Sequence, residues 1–241
     1  MKSNVYFISD AHLGLGTREE ERAKEDRLVE FLESIRISAS QLFIVGDLFD
    51  AWFEYRTVIP KGFHRLLAKL DELTAGGIVV HYLAGNHDYW MKDFFREELG
   101  IRTYHEPFDV LVDGKKIFIH HGDGLARNDT GYAMLKKLLR SELAIGMYRW
   151  LHPDIGITIA RGSSRKSRSY TSGKDYGEED GMLQFAGEKI REGYDIVVLG
   201  HRHQPVCREL EKGVYINLGD WIEHNSFAHL EDGRIELRFW K

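Results

Sequence analysis

Five apolar runs in this chain end in aspartate, asparagine or histidine. Asp10-Ala-His12 follows VYFIS, Asp47 follows LFIVG, Asn86-His87-Asp88 follows VVHYLAG, His121-Gly-Asp123 follows IFIH, and His201-Arg-His203 follows IVVLG. Alternate residues of an extended segment project to one side, so Asp10 with His12, and His201 with His203, can each serve a common centre. Carboxylates and imidazoles gathered in an apolar setting are costly unless they are paired or hold a cation. Taken singly, each is as readily a helix cap, a satisfied core histidine or a loop charge. Taken together they point to divalent metal, with two cations sharing the set. Cys207 is the single cysteine, so the donors are oxygen and nitrogen without sulfur, a set suited to manganese, iron, zinc, nickel or cobalt rather than to a thiolate zinc site.

The elements that must position these groups read as strands alternating with helices. Thr17 and Glu20 stand at capping-box spacing ahead of a helix that places Leu28, Phe31, Leu32 and Ile35 on one face. A second helix follows Pro60, with Phe63, Leu66, Leu67, Leu70 and Leu73 in register, and ends near Gly76 and Gly77. A helix carrying Met182, Phe185, Ala186 and Ile190 precedes DIVVLG. VDGKK and Asp232-Gly233 read as hairpin turns. The pattern is a mixed α/β sheet system, in which ligand sites form beyond the carboxyl ends of strands, so residues distant in sequence converge. Gly46, Gly85, Gly122 and Gly200 are expected to turn the chain sharply at those ends.

One stretch breaks the alternation. Tyr132 to Ala160 is helical in pattern, apolar and basic together, and Arg161 to Lys174 holds five cationic residues and no acidic one, read as a flexible basic loop. The expectation is one domain over 1–241, with a helical cap and basic loop inserted over 130–175. Net charge is −5, against the basic field of a dedicated nucleic-acid binder, so no nucleic-acid partner is expected. No run approaches the roughly 18 apolar residues of a membrane span. Met1 to Asn4 leads straight into a strand, without the apolar core of a signal peptide. With a lone cysteine, the expected location is cytoplasmic.

The ordered blocks D-x-H, G-D, G-N-H-D, H-G-D and G-H-x-H, each after a strand, resemble the calcineurin-like metallophosphoesterase superfamily, and the resemblance spans Asp10 to His203. It implies a four-layer α/β/β/α sandwich of two packed mixed sheets. It also implies one metal on Asp10, His12, Asp47 and His203 and a second on Asp47, Asn86, His121 and His201, with Asp47 bridging. Manganese is the first choice for both ions because the oxygen share is large. Such a pair activates water for in-line displacement at phosphorus. His87 is placed to stabilise developing charge or protonate the leaving oxygen, with Asp88 fixing its tautomer. Of the adjacent histidines, the block selects His121 and leaves His120 as a packed neighbour; Asp50 and Asp123 are read as supporting groups.

Within the superfamily, MKSNVYFISDAHLG, GDLFDAWFEY, HGDGLARNDTGY and the apolar-basic insertion resemble the UDP-2,3-diacylglucosamine diphosphatases of lipid A synthesis. That resemblance implies cleavage of a lipid-bearing nucleotide sugar to UMP and an acylated sugar phosphate, and peripheral contact with the inner membrane. It carries substrate contacts to Asp129, Ser164 and Arg168, with Asn128 and Tyr132 nearby, and Asn86 and His201 facing the same ligand. Arg161, Arg165, Lys166 and Arg168 suit an anionic diphosphate. Met134, Leu135, Leu138, Leu139, Leu143 and Ile145 suit acyl chains, or equally the packing of the cap on its own domain. The chain departs from well-known members of that group at His87, where they carry arginine. The alternatives are hydrolysis of a soluble nucleotide or other diphosphate, and a non-catalytic membrane-peripheral binding module.

Overall fold

The computed structural model describes residues 3–125, 140–171 and 178–241, with side chains described outside 164–180. Strands β1 (Asn4–Ile8), β2 (Gln41–Val45), β3 (Val79–Leu83) and β4 (Arg102–Tyr104) run parallel in one sheet, extended antiparallel by β10 (Ser226–Glu231) and β11 (Arg234–Phe239), in the order β11-β10-β1-β2-β3-β4. The second sheet has the order β5-β6-β7-β9-β8, with β6 (Lys115–His120), β7 (Ile196–Leu199) and β9 (Gly213–Leu218) parallel and β5 (Phe108–Val112) and β8 (Pro205–Leu210) antiparallel at its edges.

Alternation along each strand sorts its side chains into two buried layers. Val5, Phe7, Phe43, Val45 and Leu83 meet Ile117, Ile119, Ile196, Val198 and Ile216 between the sheets. Tyr6, Ile8, Leu42, Ile44 and Tyr82 turn outward onto α1 (Arg18–Ile35) and α2 (His64–Ala75), while Val197, Leu199 and Tyr215 turn outward onto Met182, Ala186 and Ile190 of the helix Glu178–Arg191. Helix, sheet, sheet, helix: the four layers expected from the sequence are present.

The capping box forms at Thr17, with Glu20 N–H donating to Thr17 Oγ1 at 3.3 Å and Thr17 N–H to Glu20 Oε2 at 2.7 Å. Helix α2 lacks such a cap of its own. Glu25 of α1 supplies one across the helix pair, accepting from Arg65 N and Leu66 N at 3.2 and 3.1 Å, which satisfies orphan donors of the first turn.

Two sequence expectations change. The stretch from Arg161, expected as a flexible loop, continues a helix that runs from Pro153 to Thr171; Pro153 suits a first helical position and nothing after it interrupts the ladder. Strands β4 and β8 had no sequence reading, because a three-residue strand and an edge strand depend on the neighbour they pair with, β3 and β9. Among the described residues no helix is long and apolar enough to cross a membrane.

Candidate metal centre

The turns after β1, β2, β3, β6 and β7 bring the sequence-selected donors to one end of the sandwich. Five of these residues adopt left-handed backbone: Asp10 (φ 55°), His12 (44°), Asp47 (52°), His201 (70°) and His203 (58°). Such non-glycine conformations cost of order 1–3 kcal/mol each and persist only where their surroundings over-determine them. Main-chain hydrogen bonds do this: Asp10 N–H to Gly46 O (3.1 Å), His12 N–H to Asp47 O (3.0 Å), Trp221 N–H to Asp10 O (3.1 Å) and Gly200 N–H to His121 O (2.8 Å). The expected role of the glycines therefore divides. Gly46 and Gly122 are left-handed, whereas Gly85 and Gly200 supply room, since a Cβ at Gly85 would strike Asp47 Oδ1 and one at Gly200 would strike Ser9 Oγ.

The donors gather in three groups, Asp10 with His12 and His203, His12 with Asp47 and His87, and Asp47 with His121 and His201, the middle one sharing a residue with each of the others. Asp10 Oδ1 lies 3.6 Å from His12 Nε2 and 3.4 Å from His203 Nε2, and these two ring nitrogens are 3.1 Å apart. Asp47 Oδ2 lies between the groups, 3.6 Å from His12 Nε2 and 3.3 Å from His121 Nε2. Asn86 Oδ1 is 3.2 Å from His121 Nε2. His121 Nδ1 meets Val45 O at 2.8 Å, which places the ring proton on Nδ1 and turns the Nε2 lone pair toward the donors. His120 faces away, accepting from Gly122 N–H and packing edge-on against Phe185.

The electrostatics call for positive charge. Burial alone would lower the His12 and His121 pKa values, but Asp10 and Asp50 lift His12 to about 9, and Asp47 lifts His121 to about 10. Burial would raise Asp47, yet His121 and His87 hold it well below the usual carboxylate range. His201 is pushed down to about 4 by burial and by His121 beside it. Asp10 Oδ1 is buried without a hydrogen-bond partner.

His87 brings a ring nitrogen within 4.8 Å of donor atoms on His12 and Asp47, and its main-chain N–H donates to Asp47 Oδ1 at 2.8 Å. Its tautomer is set differently from the sequence expectation. Asp50 O accepts from His87 Nδ1 at 2.9 Å, whereas Asp88 accepts from Gly85 N (2.7 Å), Leu48 N (2.8 Å) and Tyr82 Oη. Asp88 thus ties the loop after β2 to the loop after β3, and it cannot also reach round to the His87 ring. Burial, then the nearby Asp47, pushes the Asp88 pKa up to about 6. Asp123 accepts from Arg140 Nη2 at 2.7 Å.

Ser9 and Asn217 belong to the site and escaped the sequence reading. The single Ser9 hydroxyl proton is within reach of both Asp10 Oδ2 and Val45 O, and Asn217 Nδ2 donates to Gly200 O at 2.9 Å under the turn that carries His201. An asparagine inside the apolar run VYINLG was the available signal. Asn128, Asp129, Tyr132, Met134, Leu135, Leu138, Leu139 and the side chains of Ser164, Arg165, Lys166 and Arg168 lie outside the described residues.

The model of the calcineurin-like phosphoesterase family matches residues 3–205, a span that holds all of these donors. A UDP-2,3-diacylglucosamine hydrolase of Porphyromonas gingivalis is 38% identical over 247 residues, covering 95% of this chain and 94% of the relative. One from Yersinia pseudotuberculosis is 28% identical over 239 residues, covering 97% and 98%. A solved archaeal phosphodiesterase shares the fold with a TM-score of 0.50 at 14% identity, over 98% of this chain and 99% of its own. With its family match extending over most of its length, the chain belongs to the calcineurin-like phosphoesterase family and is a metal-dependent hydrolase.

Proposed function

We propose that this chain hydrolyses the pyrophosphate of UDP-2,3-diacylglucosamine to UMP and 2,3-diacylglucosamine 1-phosphate, a step of lipid A biosynthesis. The observation that carries the reading is the near-full-length relationship to the P. gingivalis hydrolase of that substrate. The residues present fit the divalent ions implied by the family, because a buried, unpartnered carboxylate oxygen on Asp10 stands between two imidazoles. Asp10, His12, Asp47 and His203 would hold one ion and Asp47, Asn86, His121 and His201 the other, with Asp47 shared. Manganese suits this mixture of oxygen and imidazole donors.

When bound, such ions supply Lewis acidity toward phosphoryl oxygens and toward the attacking water. The remaining work falls to side chains. His87, with Nδ1 held on Asp50 O, exchanges its proton at Nε2 and serves the leaving phosphate oxygen. Asp88 positions both loops rather than touching substrate. Asn86, His201 and Asp129, together with Tyr132, Ser164, Arg165 and Arg168 of the insertion over 130–175, bind the nucleotide sugar.

The outer surface of the insertion supports a lipid partner. Leu143, Met147, Trp150, Ile155 and Ile159 are exposed, Trp150 to 92%, while Tyr148 between them anchors the helices to Phe53 and Trp90 with ring centroids 4.9 and 5.1 Å apart. These exposed apolar side chains suit peripheral docking on a membrane, at the cytoplasmic face of the inner membrane. Replacing Met147 and Trp150 together by serine is expected to reduce co-sedimentation with phosphatidylglycerol-containing vesicles about tenfold, from the lost apolar burial; unchanged sedimentation counts against this surface.

The activity itself is tested with purified, manganese-loaded protein on UDP-2,3-diacylglucosamine beside bis(p-nitrophenyl) phosphate. Release of UMP from the lipid, with the aryl diester cleaved far more slowly, is the expected result. Brisk cleavage of the aryl diester with an inert lipid would replace the proposal by a generic phosphodiesterase.

A further inference from the structure

Lys24 is a buried cation on α1, a helix that exposes Arg22 and Glu30. It is 6% exposed, and an ammonium placed there is costly unless its donors are taken up. Nζ donates to His12 O at 3.0 Å and to Glu21 Oε1 at 3.0 Å. Glu21, one turn earlier on α1, accepts from Gly14 N at 2.5 Å and Gly16 N at 2.7 Å. Two side chains of α1 therefore grip the Asp10–Gly16 loop at three main-chain atoms, two amide N–H groups and one carbonyl.

The gripped carbonyl is that of His12, whose backbone is left-handed with φ 44°. That carbonyl accepts from Leu15 N–H at 3.3 Å within its own turn, and Lys24 is the side chain that reaches it from α1; the His12 N–H is taken by Asp47 O, ring Nδ1 lies 3.6 Å from Asp50 Oδ1, and Nε2 points among Asp10, Asp47 and His203. Peptide rotation at His12 would swing the imidazole away from these donors. The Lys24 contact opposes that rotation from beneath, and Glu21 keeps both Lys24 and the following glycines in place.

We propose that Lys24 and Glu21 form a positioning brace that sets the affinity of the subsite made by Asp10, His12 and His203, while the subsite of Asp47, Asn86, His121 and His201 does not depend on it. The inference rests on the two-metal reading above. Full-length Lys24→Met, Lys24→Arg and Glu21→Gln, stripped of metal, are titrated with Mn²⁺ and followed by electron paramagnetic resonance, with melting of the metal-free proteins recorded alongside. The unaltered chain takes up two equivalents; fewer than two would refute the two-metal reading, and the brace with it. In Lys24→Met one equivalent weakens about tenfold or more while the other holds, and Lys24→Arg recovers most of the loss. Glu21→Gln weakens the same equivalent, and decides the matter if Lys24→Met does not fold. Two unchanged equivalents in the folded variants overturn the brace. So does equal weakening of both, without recovery in Lys24→Arg, because that would report general loosening of the fold.

Discussion

Asp47→Ala is expected to empty the metal centre and to lower turnover by roughly four orders of magnitude or more, because the ions carry much of an acceleration that exceeds about 10⁶-fold in enzymes generally. The Asp47 side chain joins the two subsites. One carboxylate oxygen faces both His12 and His121, and the other accepts the His87 N–H. Alanine removes the donor shared by both subsites and leaves that buried N–H without its acceptor, so a fall in melting temperature accompanies the loss. Asp47→Asn separates these effects, because it keeps the shape and an acceptor while removing the charge. It should fold nearly as well as the unaltered chain and still bind metal poorly. Metal content of the dialysed proteins and steady-state rates at saturating manganese measure both effects. Two ions retained by Asp47→Ala, with a rate within tenfold of normal, would remove Asp47 from its bridging role.

His87→Gln should behave in the opposite sense, keeping both ions and losing about 10²- to 10⁴-fold in kcat, the usual contribution of a positioned acid or base. His87 stands beside the donors His12 and Asp47, and its own ring contacts suit it to the reacting group. Its ring is edge-on to His12 at 4.7 Å and its Nδ1 is engaged by Asp50 O, so it can serve the reacting group while the ions are held by others. Glutamine preserves a donor near the same place but cannot exchange a proton, which confines the effect to the chemical step and leaves KM little altered. Loss of one metal equivalent in His87→Gln would instead make it a ligand. An unchanged kcat would show that the leaving oxygen is served elsewhere.

Much of this centre was legible before any coordinate. Apolar runs ending in Asp, Asn and His state both the strand and the donor, and the rule that strand ends converge supplies the third dimension. The choice of His121 over its neighbour followed the family block, and the strand agrees by turning His120 onto Phe185. Other features could not be read because their causes are not local. Asp88 sits beside His87 in sequence, yet its carboxylate is drawn to Leu48, Gly85 and Tyr82. Glu25 looks like any helical glutamate until α2 brings two bare N–H groups to it. Left-handed backbone at Asp10, His12, Asp47, His201 and His203 had no sequence signature, since glycine is the residue that usually announces it. From Arg161 onward the helix carries glycine, serine and basic residues in place of the apolar periodicity on which the sequence reading relied.

The donors come from both halves of the sandwich: Asp10, His12, Asp47 and Asn86 ride on the ends of β1 to β3, and His121, His201 and His203 on the ends of β6 and β7. Any cation seated among them rivets the two sheets together at their open end, and its binding free energy is added to the cohesion of the folded state. The mouth of the sandwich is thereby clamped while the enzyme is loaded.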